Sequence, residues 1–406
     1  MNDLLQLRTE LSTLTAYRNI LSLPVLSRLM DALKAADQGN GEAALAAYSD
    51  AFYLLHKEKF VSLSDYLSNH LHYDSSPYAE LTAIRESTPA LTSAAEHDIN
   101  ILIRLASENA DAWKELLSEA FGAQSKDWAL ALSTLPCWET GKCDFSFEEL
   151  TSFYQINGSG LFSKYRAFLW QEGKLHPVEN PDFIPPEDLV GYTLQRNQVY
   201  SNTAALLAGK RVNNVLLYGE SGTGKSATVK SLLGIPEFES LRLIEMDKSE
   251  LTGLSELIRM LAHRPQKFVL YIDDLAFDKD DQTYSLLKTI LEGGLEPKPA
   301  NIAIYATSNR RHLVRETFTD RIGDEVDASE TIEEKTSLSE RFGLRIHYAS
   351  LNQEQFLSLC FELAEKAGIT TPKDQLRSQA LQFSLRHPGR TPRVAQQFIQ
   401  SLHTQS

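Results

Sequence analysis

The chain has 406 residues and a formal net charge of −14 at pH 7, with 42% hydrophobic and 23% charged residues. That length exceeds one usual hydrophobic core and predicts two or three domains, while the ordinary composition excludes a disordered or fibrous class. The acidic balance argues against broad binding to a phosphate backbone, which needs a basic face, though it leaves room for a local basic patch.

From the N-terminus the pattern is helical, and an all-α N-terminal domain is expected over residues 1–180. Leu4, Leu7, Leu11 and Leu14 recur at alternating three- and four-residue steps, and Leu21 extends the series past Arg18. Such a stripe is either the buried face of a packed helix or a seam for a partner helix, and the buried face is the commoner outcome. Helical patterns follow at Val25–Ala36, Ala43–Leu55, Leu63–Leu71, Asp98–Ala106 and Asp111–Ala120, punctuated by Gly39-Asn40-Gly41 and Asp74-Ser75-Ser76-Pro77. No fixed repeat period is visible, so no solenoid is expected. Cys137, Cys143 and Cys360 are too few for a disulfide framework and complete no zinc site, which favours free thiols in a reducing compartment. The start of the sequence lacks a basic stretch followed by an apolar one, and no apolar run approaches a membrane span. A cytoplasmic protein is expected, with no membrane partner.

Phe145–Trp170 is rich in aromatic residues, with Lys164 and Arg166 among them. Without a basic surround, a core-forming segment is a better reading than base stacking. The proline-marked stretch Pro177–Pro186 then predicts an extended linker. Beyond Leu189 the pattern alternates. Strands are predicted near Val215–Tyr218, Leu241–Met246, Phe268–Ile272, Ile302–Ala306 and Leu344–Tyr348. Helices are predicted at Ala227–Leu233, Leu254–Leu261 and Thr283–Leu291, with a further segment near His312–Phe318. This alternation implies a parallel sheet covered on both faces, with ligands at the carboxyl ends of its strands. An α/β nucleotide-binding domain over 181–350 is expected, followed by a helical lid over 351–406 with helices near Gln353–Ala367, Lys373–Arg386 and Arg393–His403.

The stretch that organises this region is Asn213–Val229. The apolar run Val215-Leu216-Leu217-Tyr218 is short enough for a buried strand, and Ala227 opens the helix that follows. Between them lies Gly219-Glu220-Ser221-Gly222-Thr223-Gly224-Lys225-Ser226, the full P-loop pattern in the strand–loop–helix context that the motif requires. Its glycines let backbone N–H groups turn inward on a phosphate, where a helix N-terminus adds positive potential. Lys225 is placed to reach the β- and γ-phosphates and the Ser226 hydroxyl to sit on Mg²⁺. A glycine-rich turn ending by chance in Lys-Ser is the alternative, and the correct flanks disfavour it. The pattern implies a nucleoside triphosphate.

About fifty residues downstream, Phe268-Val269-Leu270-Tyr271-Ile272 runs into Asp273-Asp274. A strand ending in a carboxylate puts Asp273 beside the P-loop, where Mg²⁺ needs a ligand, and leaves Asp274 to orient or polarise an attacking water. No Asn-Lys-x-Asp string occurs, which disfavours a guanine-specific site.

From Leu189 to the C-terminus these motifs together resemble the AAA+ ATPase family. The resemblance implies ATP and Mg²⁺ as ligands and a P-loop AAA+ core of parallel sheet flanked by helices. Val190-Gly191-Tyr192 is similar to the segment that lines the adenine, so Gly191 and Tyr192 join the P-loop residues as nucleotide contacts. Ile302-Ala303-Ile304-Tyr305-Ala306 followed by Thr307-Ser308-Asn309 resembles the family's first sensor, implying that Asn309 holds the attacking water; a helix- or turn-capping role for Asn309 is the alternative. Ser339-Glu340-Arg341-Phe342-Gly343 resembles the arginine-finger segment, implying that Arg341 points into a neighbouring subunit's site. A surface ion pair with the upstream acidic run Asp324–Glu334 is the competing reading. Gly389-Arg390-Thr391-Pro392-Arg393 resembles the second sensor, with Arg393 preferred over Arg390 as the γ-phosphate reporter.

Two departures from the family pattern matter. Many AAA+ motors carry Glu where Asp274 stands, and the loop Asp247–Gly253 lacks the aromatic–hydrophobic–glycine pore motif of threading unfoldases. Over most of the length, the helical N-terminal region included, the chain resembles a bacterial AAA+ family catalogued as a domain of unknown function. Asn213–Gly219, Tyr305–His312 and Ser337–Leu344 are similar to its recurrent strings.

The expected function is an ATPase driving conformational change in a homo-oligomeric ring or helical remodelling or loading machine, because a finger supplied in trans requires assembly. The alternative is a nucleotide-gated protein-binding module with slow or no turnover. A P-loop kinase is disfavoured by the absence of an evident acceptor site. The acidic charge favours a protein partner, held by the N-terminal helices, over nucleic acid. Arg310, Arg311 and Arg315 either line a central channel or pair with the acidic run that follows.

Overall fold

A computed structural model of the protein describes residues 3–140, 143–277, 282–292, 298–309, 313, 338–387 and 389–403. The expected segment near His312–Phe318, apart from Leu313, lies outside the described residues. So do Arg310, Arg311, Arg315 and the acidic run Asp324–Glu334. The chain divides into two compact units, Met1–Lys164 and Tyr165–Ser406.

The leucine stripe decides how the first unit begins. Leu4, Leu7, Leu11 and Leu14 are all fully buried, so the series that opens on α1 (Asp3–Leu11) is a core face. Helices α2 (Pro24–Asp37), α3 (Gly41–Lys57), α4 (Leu63–His72) and α5 (Pro77–Ala83) follow. Their starts are set chemically. Asn40, Ser62 and Ser76 each accept a hydrogen bond from the backbone N–H three residues on, and Pro24 and Pro77 occupy first-turn positions that have no N–H to satisfy. Next come α6 (Pro89–Ser107), α7 (Ala110–Phe121), α8 (Ser125–Ser133), α9 (Phe147–Asn157) and α10 (Leu161–Lys164). Aromatic rings fill the centre, with Tyr48 lying 5.8 Å from Trp113 and 5.1 Å from Trp138 between ring centroids. Tyr154, Phe145 and Leu150 are buried in the same core, in keeping with a packing role for the aromatic stretch.

In the second unit the structure departs from the expected boundary at residue 180. β1 (Ala167–Gln171) and β2 (Lys174–Val178) form an antiparallel hairpin that joins the sheet, so the helical region ends at residue 164 and Pro177 sits in a strand, not a linker. The physical reason is the turn. Glu172 and Gly173 have φ of 51° and 71°, the left-handed pair that matches the twist of a two-residue hairpin. Proline is tolerated because β2 is the edge strand.

After α11 (Thr193–Leu207) come β3 (Val215–Gly219), α12 (Lys225–Lys230), β4 (Leu241–Met246), α13 (Leu254–Leu261) and β5 (Lys267–Ile272). α14 (Gln282–Glu292), β6 (Ile302–Ser308) and β7 (Leu344–Tyr348) complete the α/β core. The sheet order is β2-β1-β4-β5-β6-β3-β7, and every pairing except β1 with β2 is parallel. Residues 268–272 of β5 are each 0% exposed, which is why that strand reads as one continuous apolar run: both faces are covered. On one face Val199 and Leu206 of α11 and Val229 of α12 pack with Val215, Leu217, Val269 and Tyr271. The helices α15 (Gln353–Lys366), α16 (Lys373–Leu385) and α17 (Pro392–His403) form a cap with its own core of Phe356, Cys360, Ala395 and Phe398. Asn352 and Gln355 close α15 with a reciprocal capping box at 2.9 and 3.0 Å. Among the described residues no helix is long and apolar enough to cross a membrane.

Candidate functional site

Strand register determines which side chains meet. β3 pairs with β6 through Leu217 and Thr307 and through Tyr218 and Ser308, while β5 pairs with β6 through Ile272 and Ala306. Gly219, Asp273 and Asn309, at or just past the ends of these strands, therefore leave the carboxyl edge side by side. A cleft of about 380 Å³ opens there.

Gly219 has φ of +135°, and a Cβ on it would lie 2.1 Å from the Tyr348 carbonyl oxygen, so only glycine passes beneath β7. Ser221, Gly222, Thr223, Gly224, Lys225, Ser226 and Ala227 line the cleft along one wall. Gly219 and Glu220, expected among the nucleotide contacts, are not among the residues that line it. The Lys225 ammonium donates to the Gly219 carbonyl at 3.0 Å, to the Glu220 carbonyl at 2.7 Å and to Asn309 Oδ1 at 2.9 Å. Burial lowers its pKa against the opposing pull of Asp274 and Asp273.

The carboxylates differ from one another. Asp273 Oδ1 accepts from the Ser226 hydroxyl at 2.8 Å, from the Asp274 N–H at 3.1 Å and from the Thr307 hydroxyl. Burial pushes its pKa up, and the hydroxyl donors around it, Thr307 foremost and Ser226 with it, outweigh that and leave it below the usual carboxylate value. Asp274 is exposed, with φ of +48°. A non-glycine residue in that region costs of order 1–3 kcal/mol, and such strain gathers at sites where geometry matters. Its N–H is held by Thr307 Oγ1 at 2.9 Å and its Oδ1 accepts from Asn309 Nδ2 at 2.8 Å. Asn309 thus bridges Lys225 to Asp274, its amide oxygen and nitrogen both engaged by side chains of the cleft.

The opposite wall comes from the segment before α11 and from the cap. Gly191 and Tyr192 line the cleft, both with positive φ. The Tyr192 ring lies 4.9 Å from that of Tyr348 and its hydroxyl donates to the Ala349 carbonyl. Burial and the charge of Glu220 raise the Tyr192 phenol to about 12. Arg393 also lines the cleft, and its N–H donates to the Gly222 carbonyl at 3.2 Å. Arg390 points elsewhere, toward Gln353 Oε1 at 3.4 Å. Arg341 is not part of this cleft: its guanidinium pairs with Glu292 at 2.8 Å and its side chain is 46% exposed.

The sequence reading missed Thr307, Arg196, Tyr348 and Gln396, all of which line the same space. Thr307 sat inside the quoted sensor string, and Gln396 lies one turn past Arg393. Arg196 and Tyr348 carried no signal of their own. Chemically, the site presents one ammonium, a hydroxyl and a carboxylate 2.8 Å apart of the oxygen type that Mg²⁺ takes, and a second, exposed carboxylate.

The model of a family described as "Protein of unknown function (DUF815)" matches residues 163–406. Among curated proteins, an ORC1-type DNA replication protein of Methanocorpusculum labreanum is 29% identical over 157 residues, which cover 34% of this chain and 35% of that protein. The chain thus matches about a third of that relative's length. Among solved structures, the Thermotoga maritima RuvB Holliday junction branch migration motor is 14% identical with a TM-score of 0.36, over 54% of this chain and 64% of that one. A variant of the same RuvB gives a TM-score of 0.37 at 14% identity, over 54% of this chain and 65% of that one. In both cases the chain spans less than two thirds of the structure it matches.

Proposed function

The chain belongs to the DUF815 family and has an AAA+ nucleotide-binding fold, and from that premise we propose that it binds ATP with Mg²⁺ and hydrolyses it to drive conformational change in an oligomeric remodelling or loading machine. The observation that carries this reading is the continuous link from Lys225 through Asn309 to Asp274, at 2.9 and 2.8 Å, on the rim of the cleft lined by the P-loop string.

In this reading Lys225 leaves its loop carbonyls for the β- and γ-phosphates, which frees the Asn309 carbonyl oxygen. Asn309 and Asp274 then hold the attacking water between them, with Asp274 accepting from it. Thr307 and Asp273 at the Asp274 N–H and Asn309 at its carboxylate fix where that acceptor sits. Ser226 and Asp273 would hold Mg²⁺, which when bound neutralises the charge that develops on the transferring phosphoryl group. Arg393, carried on α17 and joined to the loop at Gly222, reads the γ-phosphate and passes its presence to the cap. Gly191 and Tyr192 would line the base. Arg341, off its own chain's cleft, is available to a neighbour's, so full activity needs assembly. A protein partner on the N-terminal helices and a cytoplasmic setting complete the proposal.

The test is the mass of the protein in solution without nucleotide and with ATP plus Mg²⁺, together with phosphate release as protein concentration rises. Activity per subunit is expected to climb as an ATP-dependent oligomer forms. Lys225→Ala is expected to weaken nucleotide binding about a hundredfold or more, equivalent to about 2.7 kcal/mol. A protein that stays monomeric with no turnover would remove the hydrolytic machine. The nucleotide-gated binding module, consistent with the shorter Asp274 in place of Glu, would then stand.

A further inference from the structure

The phosphate loop carries one acidic side chain, Glu220, and it does not line the cleft. Its carboxylate faces the short connection between β7 and α15, where the Ser350 hydroxyl donates to Glu220 Oε2. The same oxygen lies 3.4 Å from where a Cβ on Gly389 would sit, and Gly389 has φ of +82°. A larger residue there would crowd the carboxylate.

Backbone bonds converge on the same spot. The Glu220 N–H donates to the Tyr348 carbonyl at 3.3 Å, and the Leu351 N–H donates to the Arg390 carbonyl at 3.1 Å. The cap therefore meets the loop twice: through Ser350 at the root of its first helix, and through Arg393 and Gly222 at the start of its last. The two meetings differ in kind. The second is a backbone bond beside an arginine already assigned to the nucleotide. The first is a hydrogen bond to a charged acceptor, the stronger class, made by a carboxylate that points away from the nucleotide.

The Glu220 peptide also feels Lys225. Its carbonyl accepts from the Lys225 ammonium at 2.7 Å and from the Thr223 hydroxyl at 2.8 Å. When Lys225 turns to a phosphate, the first of these bonds is given up, and the peptide bearing the carboxylate is free to readjust.

We propose that Glu220 is a positioning residue that transmits phosphate occupancy from Lys225 to Ser350, and so sets the cap's attitude through its first helix independently of Arg393. This rests on the nucleotide reading above. Glu220 touches neither nucleotide nor water in this scheme; it acts through the connection 349–352. The Ser350 hydroxyl is the receiving atom.

The experiment measures two quantities on the full chain: the affinity ratio for fluorescent ATP over ADP analogues, and amide hydrogen exchange across 349–352 with and without nucleotide. In the wild type, exchange across 349–352 is expected to differ between the free and ATP-bound protein. Ser350→Ala should abolish that difference and lower the ATP-over-ADP ratio about tenfold or more, the worth of one hydrogen bond to a charged group. Ser350→Thr keeps the hydroxyl and should restore both readouts, which a simple packing role would not require. Retention of the nucleotide-dependent difference and of the ratio in Ser350→Ala overturns the coupling while leaving nucleotide binding intact. A wild-type chain that binds neither analogue overturns the nucleotide reading, and the coupling falls with it.

Discussion

Asp98 in the N-terminal unit and Asp273 in the second unit each accept several hydrogen bonds, from donors of different kinds. Asp98 is 0% exposed, and its Oδ2 accepts from the backbone N–H groups of Thr15 and Tyr17 at 2.8 and 3.0 Å. Both donors belong to one turn of chain after α1, so the carboxylate pins that turn to α6. Asp273 accepts one backbone N–H, that of its neighbour Asp274, and otherwise the hydroxyls of Ser226 and Thr307, which arrive on α12 and β6, beside an open cleft. A hydroxyl rotates and can exchange its partner for a metal ion, whereas a backbone N–H in a packed turn cannot. The contrast separates a carboxylate that serves the fold from one that serves a ligand. It rests on who the donors are and whether the space beside them is open, and not on burial alone. The aromatic centre of the first unit, with Trp113 against Tyr48 and Trp138, and the polar rim of the second repeat it on a larger scale.

The strongest way to break this comparison is to ask whether the rim works as a shared site. Arg341→Ala is expected to lower ATP turnover by about 10³-fold or more if the guanidinium completes a neighbour's cleft. Asp274→Asn is expected to retain binding while losing turnover. Mixed in one assembly, the two variants should regain part of the lost activity, because each supplies what the other lacks. Absence of any recovery in demonstrated mixed oligomers would assign Arg341 to its Glu292 ion pair and nothing more.

Next in size is the effect of hollowing the first unit. Trp113 is fully buried, and Trp113→Ala should destabilise that unit by about 3–5 kcal/mol, through lost burial and the cavity left behind. Thermal unfolding followed by tryptophan fluorescence would show the shift. Nucleotide affinity in the cold is expected to change less than about twofold. A parallel loss of affinity would mean that the helical unit helps to form the cleft, and the division of labour drawn from Asp98 and Asp273 would fail.

How much of this was legible in the sequence follows from the same division. Val215–Gly219 and Phe268–Ile272 announced themselves because a strand covered on both faces is apolar without interruption, and the P-loop string fixed their neighbour. The leucine stripe gave α1 for the complementary reason, one buried face at helical spacing. The β1–β2 hairpin was lost because its signal is a two-residue Glu172-Gly173 turn with no Asn or Asp to advertise it, followed by a proline that argues against a strand everywhere but an edge. α11 was missed because its buried stripe, Val199, Thr203 and Leu206, has helical spacing but only two apolar members, while the apolar Leu194 on the same helix is exposed. Thr307 illustrates the limit for the site. The sensor string contains that threonine without singling it out, and its role appears only when register sets it beside Asp273.

The smallest test concerns charge that holds helix to helix. Arg104 on α6 pairs with Glu10 on α1, and the hydrogen bond from Arg104 keeps the Glu10 pKa below its ordinary value of 4.5. A carboxylate with a depressed folded-state pKa adds stability that is fully present above its unfolded value and is lost as pH falls through the folded one. Glu10→Gln should therefore cost stability at pH 7, and the cost should fade as pH falls below 4.5 and through the lowered folded-state value. The pair lies at the surface, so screening limits the cost to about 0.2–1 kcal/mol, and 1 M salt should shrink it further. Denaturant unfolding of both proteins across pH and salt is the measurement. A cost that showed no dependence on pH would make Glu10 a packing residue. A change in nucleotide affinity would be the sharper surprise, since it would join a peripheral ion pair of the first unit to the cleft of the second.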